Sequence, residues 1–377
     1  MIFRRVRKGI TYIYERTKGE DGKRHEKVIG KVDKDGNEIY YKDTSKSHAS
    51  NKKETEQEKK FTKVAVFDLD GSFRIELRPM PNVEAHLAKK VISGTTKLEQ
   101  VIFDPRKNPV FYDSDITAID VNVGNRGKNT IITTIASIDF NNMKKMGVSI
   151  SNEKWITPFD REILSIVSSL YAAGNAYQSP QMIFQAMSGN KEKVKLTPDI
   201  RAKIIESLRK LRATTIEIDA SQEEKAGWVK KGKYEGSLLP SEHVEVITLN
   251  GQKVVDCIHF LRNSPLYDYA EGKNQISRVN IEMLQAPVNN TTENIELKFY
   301  LLRLISSMKN TKSKIKPVFR YDTIYEYLGV ENADKTTKKR IRDRVKEILS
   351  FWIEQGFILD FKEEREGKNI AKVKISL

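Results

Sequence analysis

The chain has 377 residues, with 66 Lys and Arg against 51 Asp and Glu, and therefore a formal charge of +15. Its 38% hydrophobic and 31% charged residues exclude a fibrous or wholly disordered chain, and its length predicts two or three domains. No apolar run approaches the about 20 residues of a membrane span. A single cysteine, Cys257, excludes an internal disulfide framework and a multi-cysteine zinc site, so we expect a cytoplasmic protein. The excess of cations favours nucleic acid as the partner over a membrane surface.

The first 150 residues are dominated by strand-like patterns. Residues 1–42 predict a small basic β module of three strands, with Asp-Gly turns between alternating apolar and polar residues. Residues 43–60 have almost no apolar side chains and predict a flexible linker. Residues 61–150 predict an α+β segment whose role the sequence leaves open. Its strand-like runs are 64–67, 73–77, 101–103 and 131–135.

Two helical blocks with the same apolar spacing follow, at an offset of 141 residues. In the first helix of each block, Ile163 and Leu164 correspond to Leu304 and Ile305. The register continues without a gap through two more helices, where the matched positions include Ile183 with Ile324, Met187 with Leu328, Ile204 with Val345 and Leu211 with Trp352. We interpret the blocks as two copies of one supersecondary unit.

Each copy has the pattern of a winged helix, in which three helices precede a β hairpin. The copies predict a first winged-helix domain over residues 151–290 and a second over residues 291–377. In the second, Asp334 is a capping residue before the third helix and Gly356 ends it. We expect its helices over 294–310, 321–328 and 335–355, its strands over 357–361 and 370–375, and its wing tip over 363–369.

The third helix of the second copy separates apolar and cationic residues onto different faces. At 100° per residue, one stripe holds Ile341, Val345, Ile348 and Trp352, and we expect it to be buried. Another face gathers cations, as a recognition helix in a DNA groove requires. We expect Lys335, Lys338 and Lys346 to contact phosphates, and Lys339 and Arg342 to contact base edges. The further candidate DNA-binding residues are Arg320, Arg365, Lys368 and Asn369.

The third helix of the first copy is less cationic, and Arg201, Lys203 and Lys210 are its candidates for a secondary DNA contact. The hairpin that follows, residues 244–255, is apolar and has an Asn-Gly turn. Such a hairpin predicts an interface, either within the chain or between two chains of a homodimer. Cys257 lies in the second, apolar strand, and we expect a buried and inert thiol.

The sequence contains partial matches to two kinds of catalytic site. The run 64–72, which contains Asp68 and Asp70, resembles the first motif of haloacid-dehalogenase phosphatases, but no later Gly-Asp-x-x-x-Asp motif follows. A metal-dependent phosphatase or nuclease that uses Asp68 and Asp70 is therefore the rival enzyme hypothesis. A rolling-circle nickase would need a His-x-His metal site beside its tyrosine nucleophile, but no such motif accompanies Tyr267 and Tyr269. No P-loop of an ATPase or helicase is present. We expect no enzymatic activity, metal or cofactor.

The residues 156–164 and 170–175 resemble the opening of the first winged helix of plasmid replication initiators. Residues 290–295, 300–303 and 338–342 resemble the second, so that the similarity spans residues 153–377. Residues 1–42, and 30–39 in particular, are similar to the N-terminal β module of some DDE-type transposases. The first resemblance implies a protein that binds repeated origin sites and recruits host replication factors, such as a host initiator and helicase, without hydrolysing anything.

Together these observations predict an α+β protein: a small β-rich arm and an α+β segment, followed by two tandem winged-helix domains. We expect a sequence-specific, double-stranded-DNA-binding replication initiator of a plasmid or other mobile element. A winged-helix transcriptional regulator is the rival binding hypothesis.

Overall fold

The computed structural model describes residues 2–7, 10–18, 24–32, 38–40, 61–67, 73–79, 86–103, 116–125, 131–139, 156–192, 194–247, 253–310, 317–367 and 369–377. The predicted linker, residues 43–60, lies outside these ranges, as do Asp68, Asp70 and Lys368. The chain forms two compact units, Met1–Phe61 and Thr62–Leu377. Helices and strands are mixed throughout the second unit, which confirms the α+β class.

The first unit is a four-stranded antiparallel sheet in the order β1-β2-β3-β4. Three of the strands cover the alternating runs that the sequence predicted, and the fourth, β1, adds the basic segment before them. A bulge between Ile13 and Tyr14 interrupts the pairing of β2 with β3. The strands are β1 Ile2–Arg7, β2 Ile10–Lys18, β3 Arg24–Val32 and β4 Glu38–Tyr40.

The second unit contains both helices and strands. Its helices are α1 Lys97–Ile102, α2 Pro158–Ala172, α3 Pro180–Met187, α4 Pro198–Ala213, α5 Ser221–Lys225, α6 Pro265–Gly272, α7 Thr292–Asn310, α8 Tyr321–Tyr327 and α9 Lys335–Glu354, with a 3-10 helix at Ile281–Gln285. Its strands up to the first apolar hairpin are β5 Phe61–Phe67, β6 Phe73–Pro79, β7 Lys90–Gly94, β8 Ile116–Asn125, β9 Ile131–Asp139, β10 Tyr177–Gln178, β11 Thr215–Asp219 and β12 Lys233–Ser237. The remaining strands are β13 Ser241–Ile247, β14 Lys253–Phe260, β15 Ser277–Asn280, β16 Val318–Arg320, β17 Asp360–Glu366 and β18 Asn369–Ser376.

Local sequence explains where the principal helices begin and end. Helix α2 starts with a capping box, in which the Thr157 hydroxyl accepts from the Asp160 amide and the Asp160 carboxylate accepts from the Thr157 amide. The Asp334 carboxylate caps α9 by accepting from the Thr337 amide at 2.8 Å. Gly356 follows α9 with φ +66°, a left-handed conformation that strongly favours glycine. The predicted caps of α9 are confirmed.

The apolar hairpin β13–β14 lies inside a five-stranded sheet of order β10-β14-β13-β5-β6. Strand β5, from the segment 61–150, pairs along β13 with Val64 opposite Val246 and Val66 opposite Val244. Cys257 is 3% exposed in this sheet and packs with Val66 and Val244, as predicted for a buried thiol. The β13 edge of the hairpin is therefore paired with strand β5 of the same chain, which is the interface within the chain that the sequence offered as one of two possibilities.

The rest of the segment 61–150 also pairs with residues beyond position 150. Strands β8 and β9 join the β11–β12 hairpin in a sheet of order β12-β11-β9-β8, and β7 pairs with β15. The prediction of a strand at 101–103 was wrong: Val101 and Ile102 end helix α1, and Phe103 is its C-cap. The apolar run was too short to distinguish a buried strand from a buried helix end.

The helices of the two blocks occupy corresponding positions in the chain at the offset of 141 residues. Helices α2, α3 and α4 correspond to α7, α8 and α9, and the short strand β10 corresponds to β16. Strand β10 pairs with β14, and β16 pairs with β18, each the second strand of a later hairpin. The β17–β18 hairpin directly follows α9, whereas the β11–β12 hairpin lies between α4 and the β13–β14 hairpin. In the second copy the sheet order is β16-β18-β17. Strand β17 runs to Glu366, so its turn is shorter than the predicted tip.

Both copies share one hydrophobic core. It includes Ile163 and Leu164 of α2, Leu302 and Ile305 of α7, and the apolar stripe of α9. Among the described residues, none of the helices is both long enough and apolar enough to cross a bilayer.

Candidate nucleic-acid interface

Helix α9 is anchored by its apolar stripe. Ile341, Val345, Ile348 and Trp352 are all fully buried, which confirms the predicted inner face. The Trp352 indole Nε1 donates to the Met283 carbonyl in the 3-10 helix at 2.9 Å. A buried indole with its donor satisfied holds the helix at one rotation, because Trp has a single polar atom and a large apolar body. The opposite face is thereby turned outward.

The outward face carries cations in two different states. The side chains of Lys335 and Lys339 are exposed and make no hydrogen bond or ion pair with the described part of the chain. Lys338 lies over the Tyr325 ring at 5.4 Å and donates to the Glu331 carbonyl at 2.6 Å. Arg342 is half-buried and donates from Nη1 to the Tyr325 hydroxyl at 3.2 Å. Helix α8, through Tyr325, therefore orients two of the five predicted contact residues of α9.

Two further predicted contact residues are engaged by acidic residues of β17. Lys346 pairs with Glu363 at 3.0 Å, and Glu363 also accepts from the Tyr321 hydroxyl at 2.7 Å. Arg320 donates to Glu366 with both terminal nitrogens, at 3.0 and 2.9 Å. A DNA phosphate would compete with these carboxylates for the same cations.

Glu366 is the most strongly stabilised of these carboxylates. It accepts from Arg320 and pairs with Lys372 at 2.8 Å. Hydrogen bonds from Arg320 and then from Lys372 lower the pKa of Glu366 to about 2. The carboxylate is ionised at every pH at which DNA binding would be measured.

The predicted wing contacts lie at the end of the β17–β18 hairpin. Arg365 is exposed and pairs in register with Ile370, and Gly367 turns the chain with φ +63°. Asn369 begins β18. Lys368 lies outside the described residues.

Helix α9 has a third set of cations, which were not among the predicted contact residues. Arg344 donates to Glu293 at 2.7 Å, and Arg340 lies 3.5 Å from the same carboxylate. Glu293 is in the first turn of α7, where the helix dipole favours negative charge. Arg340 and Arg344 are four positions apart and therefore share one helix face. This spacing is the sequence feature that could have distinguished them from the outward cations.

The candidate contacts on α4 differ from one another in their surroundings. Lys203 is exposed and donates to the Thr292 hydroxyl at 3.0 Å, and Arg201 is exposed as well. Lys210 instead forms an ion pair with the buried Asp160 at 2.7 Å, and its own side chain is 14% exposed. Lys210 thus holds α4 against the start of α2, a role that its sequence position did not reveal.

Three consecutive charged residues of α2 each reach a different element. Asp160 binds Lys210 on α4, Arg161 binds Glu99 on α1 at 2.6 Å, and Glu162 binds Arg303 on α7. All three are buried. Charged residues on a helix that is buried on nearly every side must be paired. The charged run 160–162 in an otherwise apolar helix was therefore the sequence signal for these buried ion pairs.

The residues considered for catalysis are either outside the described ranges or buried in hydrogen bonds. Asp68 and Asp70 lie outside the described residues. The Tyr267 hydroxyl is buried against Ser165 and Glu99, and the Tyr269 hydroxyl against Glu223. Burial raises the pKa of Tyr267 well above its usual value, with Glu99 adding to the effect. In the described part of the chain, no group of three His, Cys, Asp or Glu residues is arranged to hold a metal ion.

The chain has only low similarity to the known proteins that it matches. No protein-family model matches the sequence, and no curated protein is significantly similar to it. Two crystal structures of domains 2 and 3 of RctB match 74% of this chain and 96% of their own chains, with TM-scores of 0.34 and 0.36 and sequence identities of 13% and 11%. At this identity and TM-score, the similarity by itself assigns neither a fold family nor a function to this chain.

Proposed function

We propose that this protein is a double-stranded-DNA-binding replication initiator of a plasmid or other mobile element, built on two winged-helix units. In this proposal α9 is the recognition helix, the β17–β18 hairpin is the wing, and the chain has no catalytic activity. Host replication factors would be recruited to the bound origin. The observation that carries the proposal is the rotation of α9, whose apolar stripe is buried while Lys335 and Lys339 face outward.

The element order around α9 supports its assignment as a recognition helix. A short helix, α8, precedes it across a turn at Gly329, which has φ +68°. The Tyr325 side chain of α8 contacts both Lys338 and Arg342, so the two helices share the outward face. A recognition helix docks in the major groove through such a face, while the preceding helix crosses the backbone.

The charge of α9 favours a duplex over a protein partner. The helix contains seven Lys and Arg residues against three Asp and Glu residues. Arg340 and Arg344 share the Glu293 carboxylate as a counterion, whereas Lys335 and Lys339 on the outward face have no ion-pair partner in the described part of the chain. Cations on one helix face attract the phosphates on either side of a groove, and an Arg among them can donate to two acceptors of a guanine.

The contacts revise the roles of the individual cations. Lys335 and Lys339 are the residues most available to DNA. The hydrogen bond to the Tyr325 hydroxyl orients Arg342, which we expect to contact base edges. Lys346 and Arg320 would first have to leave Glu363 and Glu366. Arg201 and Lys203 remain secondary candidates, whereas Lys210 would have to leave Asp160.

Quantitative DNA binding tests the recognition helix. We expect Arg342→Ala to weaken specific binding by about 1–3 kcal/mol and to relax base preference, whereas Lys338→Ala should lower the salt slope by about 1 on every sequence. Lys233→Ala, at an exposed position of β12, is the matched control and should bind as the wild type does. Equal losses by the two α9 variants on cognate and scrambled DNA would contradict the division of roles.

Selection of bound fragments from a random DNA pool tests the biological role. Enrichment of direct repeats is expected for an initiator, and a fragment of the element's own origin should then replicate only when this protein is supplied. A single palindrome would instead favour a transcriptional regulator. Absence of any enrichment would overturn sequence-specific binding altogether.

The proposed absence of catalysis has its own test. Purified protein should show no Mg²⁺-dependent phosphatase or nuclease turnover above that of Asp68→Asn. Turnover that this substitution abolishes would establish the rival enzyme hypothesis.

A further inference from the structure

A cavity of about 640 Å³ lies between the two helical blocks, away from the outward face of α9. Its walls are the β7–α1 segment, the start of α2, the loop after α6, helix α7 and Tyr327 of α8. The Asn310 side chain of α7 donates to the Ser277 hydroxyl at 2.7 Å across its rim. Pockets for small organic ligands fall in the range of about 300–1,000 Å³.

Cations line the cavity and their counterions do not. Lys97, Arg161, Lys273 and Arg303 all contribute to the wall, whereas no Asp or Glu of the described residues does. Three of these cations pair with carboxylates that are fully or almost fully buried on the protein side, namely Glu99, Glu162 and Glu223. An anion in the cavity would therefore meet the N–H groups at close range and the carboxylates only behind them.

One of these cations has hydrogen-bonding capacity left over. Arg161 is 6% exposed, and it pairs with Glu99 through Nη2. Its Nε is buried and makes no hydrogen bond within the described part of the chain. A buried donor without a hydrogen-bond partner is uncommon in folded proteins, and here it belongs to a residue of the cavity wall.

The wall also has an aromatic part. Phe103, Tyr300 and Tyr327 line the cavity, and the rings of Tyr300 and Tyr327 lie 4.3 Å apart with an interplanar angle of 34°. Planar rings of a ligand pack well against such side chains, while Ser, Thr, Asn and Gln residues around the rim supply neutral hydrogen-bonding groups.

We propose that this cavity binds a small anion that carries an aromatic ring, the class to which nucleoside phosphates belong. The aromatic wall would hold the ring, and Lys97, Arg161 and Lys273 would hold the phosphate or carboxylate oxygens. This site is separate from the proposed DNA-binding face, so it stands or falls independently of the proposed function.

Isothermal titration of the full chain with ATP, adenosine and tripolyphosphate tests the proposal. ATP is expected to bind at least ten-fold more tightly than either adenosine or tripolyphosphate, because it alone has both the ring and the charge. Binding of adenosine as tight as that of ATP would overturn the role of the cations, and equal binding of tripolyphosphate would overturn that of the aromatic wall. No binding of ATP at millimolar concentration would overturn the site.

Variants locate the binding in the cavity. Ser307 is exposed on the cavity side of α7, and Ser307→Trp should fill the space and abolish ATP binding. Lys97→Glu should weaken ATP at least ten-fold, whereas Lys89→Glu, an exposed position outside the cavity, should leave it unchanged. Loss of ATP binding in Lys339→Glu but not in Ser307→Trp would place it on α9 and contradict the proposal. The ligand comparison on the wild-type chain decides the outcome if a variant fails to fold.

Discussion

Glu162 and Arg303 form a buried ion pair, and they are separated by 141 residues, the offset that aligns the two helical blocks. Each is thus the counterpart of the other in the repeat, one acidic and one basic. Arg303 donates through Nη1 and Nη2 to the two carboxylate oxygens, and Nη2 also donates to the Tyr327 hydroxyl at 3.0 Å. Burial by itself would lower the pKa of Arg303, but the Glu162 carboxylate outweighs burial and raises it, so the guanidinium stays charged.

The ion pair predicts a characteristic pattern in a double-mutant cycle. Glu162→Leu should lower the free energy of unfolding by about 3–5 kcal/mol, because it leaves a buried guanidinium without a counterion. Combining Glu162→Leu with Arg303→Leu should recover most of that loss, since two apolar side chains would replace two buried charges. Urea unfolding of the two single variants and the double variant measures the coupling.

The matched control is a surface pair of the same chemistry. Arg320→Leu breaks the exposed pair with Glu366 and should change the unfolding free energy little, because solvent screens it. A double variant of Glu162 and Arg303 that is as unstable as the sum of the single variants would contradict the assigned coupling.

Lys298 predicts a stability that rises with pH above neutrality. Its ammonium is buried, with the Leu284 carbonyl at 2.9 Å and the Asn290 side-chain oxygen at 3.0 Å as acceptors. Burial, with a smaller contribution from Lys191, lowers the pKa of Lys298 from 10.5 to about 7. Between these two values the unfolded chain binds one proton more than the folded chain does, so stability increases from about pH 7 to pH 10.5.

The difference between the wild type and Lys298→Met isolates this effect. Other titrating groups contribute equally to both proteins, and only the wild type should gain stability across that pH range relative to the variant. Chemical denaturation at several pH values from 6 to about 10.5 is the measurement. A constant difference across the range would show that Lys298 is not desolvated in the folded chain.

Substitutions of Trp352 should show how much packing and hydrogen bonding each contribute to the attachment of α9 to the core. Trp352→Ala should cost about 3–5 kcal/mol, because it empties a fully buried site. Trp352→Phe keeps most of the apolar volume but removes the Nε1 donor from the Met283 carbonyl, and should cost about 1–3 kcal/mol. Thermal unfolding followed by circular dichroism compares the two. A Phe variant as unstable as the Ala variant would mean that the hydrogen bond dominates over packing.

Cys257 predicts a slow thiol reaction in the native protein. Its side chain packs with Val66 of β5 and Val244 of β13, so a thiol reagent reaches it only when the sheet opens. Labelling with a chromogenic disulfide should be slow in buffer and immediate in denaturant. Val66→Ala weakens the cover at this point and should accelerate labelling, whereas Leu261→Ala at an exposed position should not.

Local patterns in the sequence determined much of the helical framework. The faces of α9, its Asp334 cap and its end at Gly356 follow from spacing over a few turns, and the repeat follows from the same spacing found twice. These features depend on residues three to seven positions apart, which a helix brings together whatever surrounds it. A run as short as 101–103 has no such period, and its helical state was not predictable.

Only the tertiary structure decided which charges are available to a ligand. Lys210, Lys346 and Arg344 look alike in the sequence, yet each is held by a carboxylate from another element, at Asp160, Glu363 and Glu293. Lys339 is left outward. Likewise, strand β5 covers the apolar hairpin from almost 180 positions upstream. Ion pairs and strand pairings across such separations depend on how the elements pack, and no local period in the chain encodes that packing.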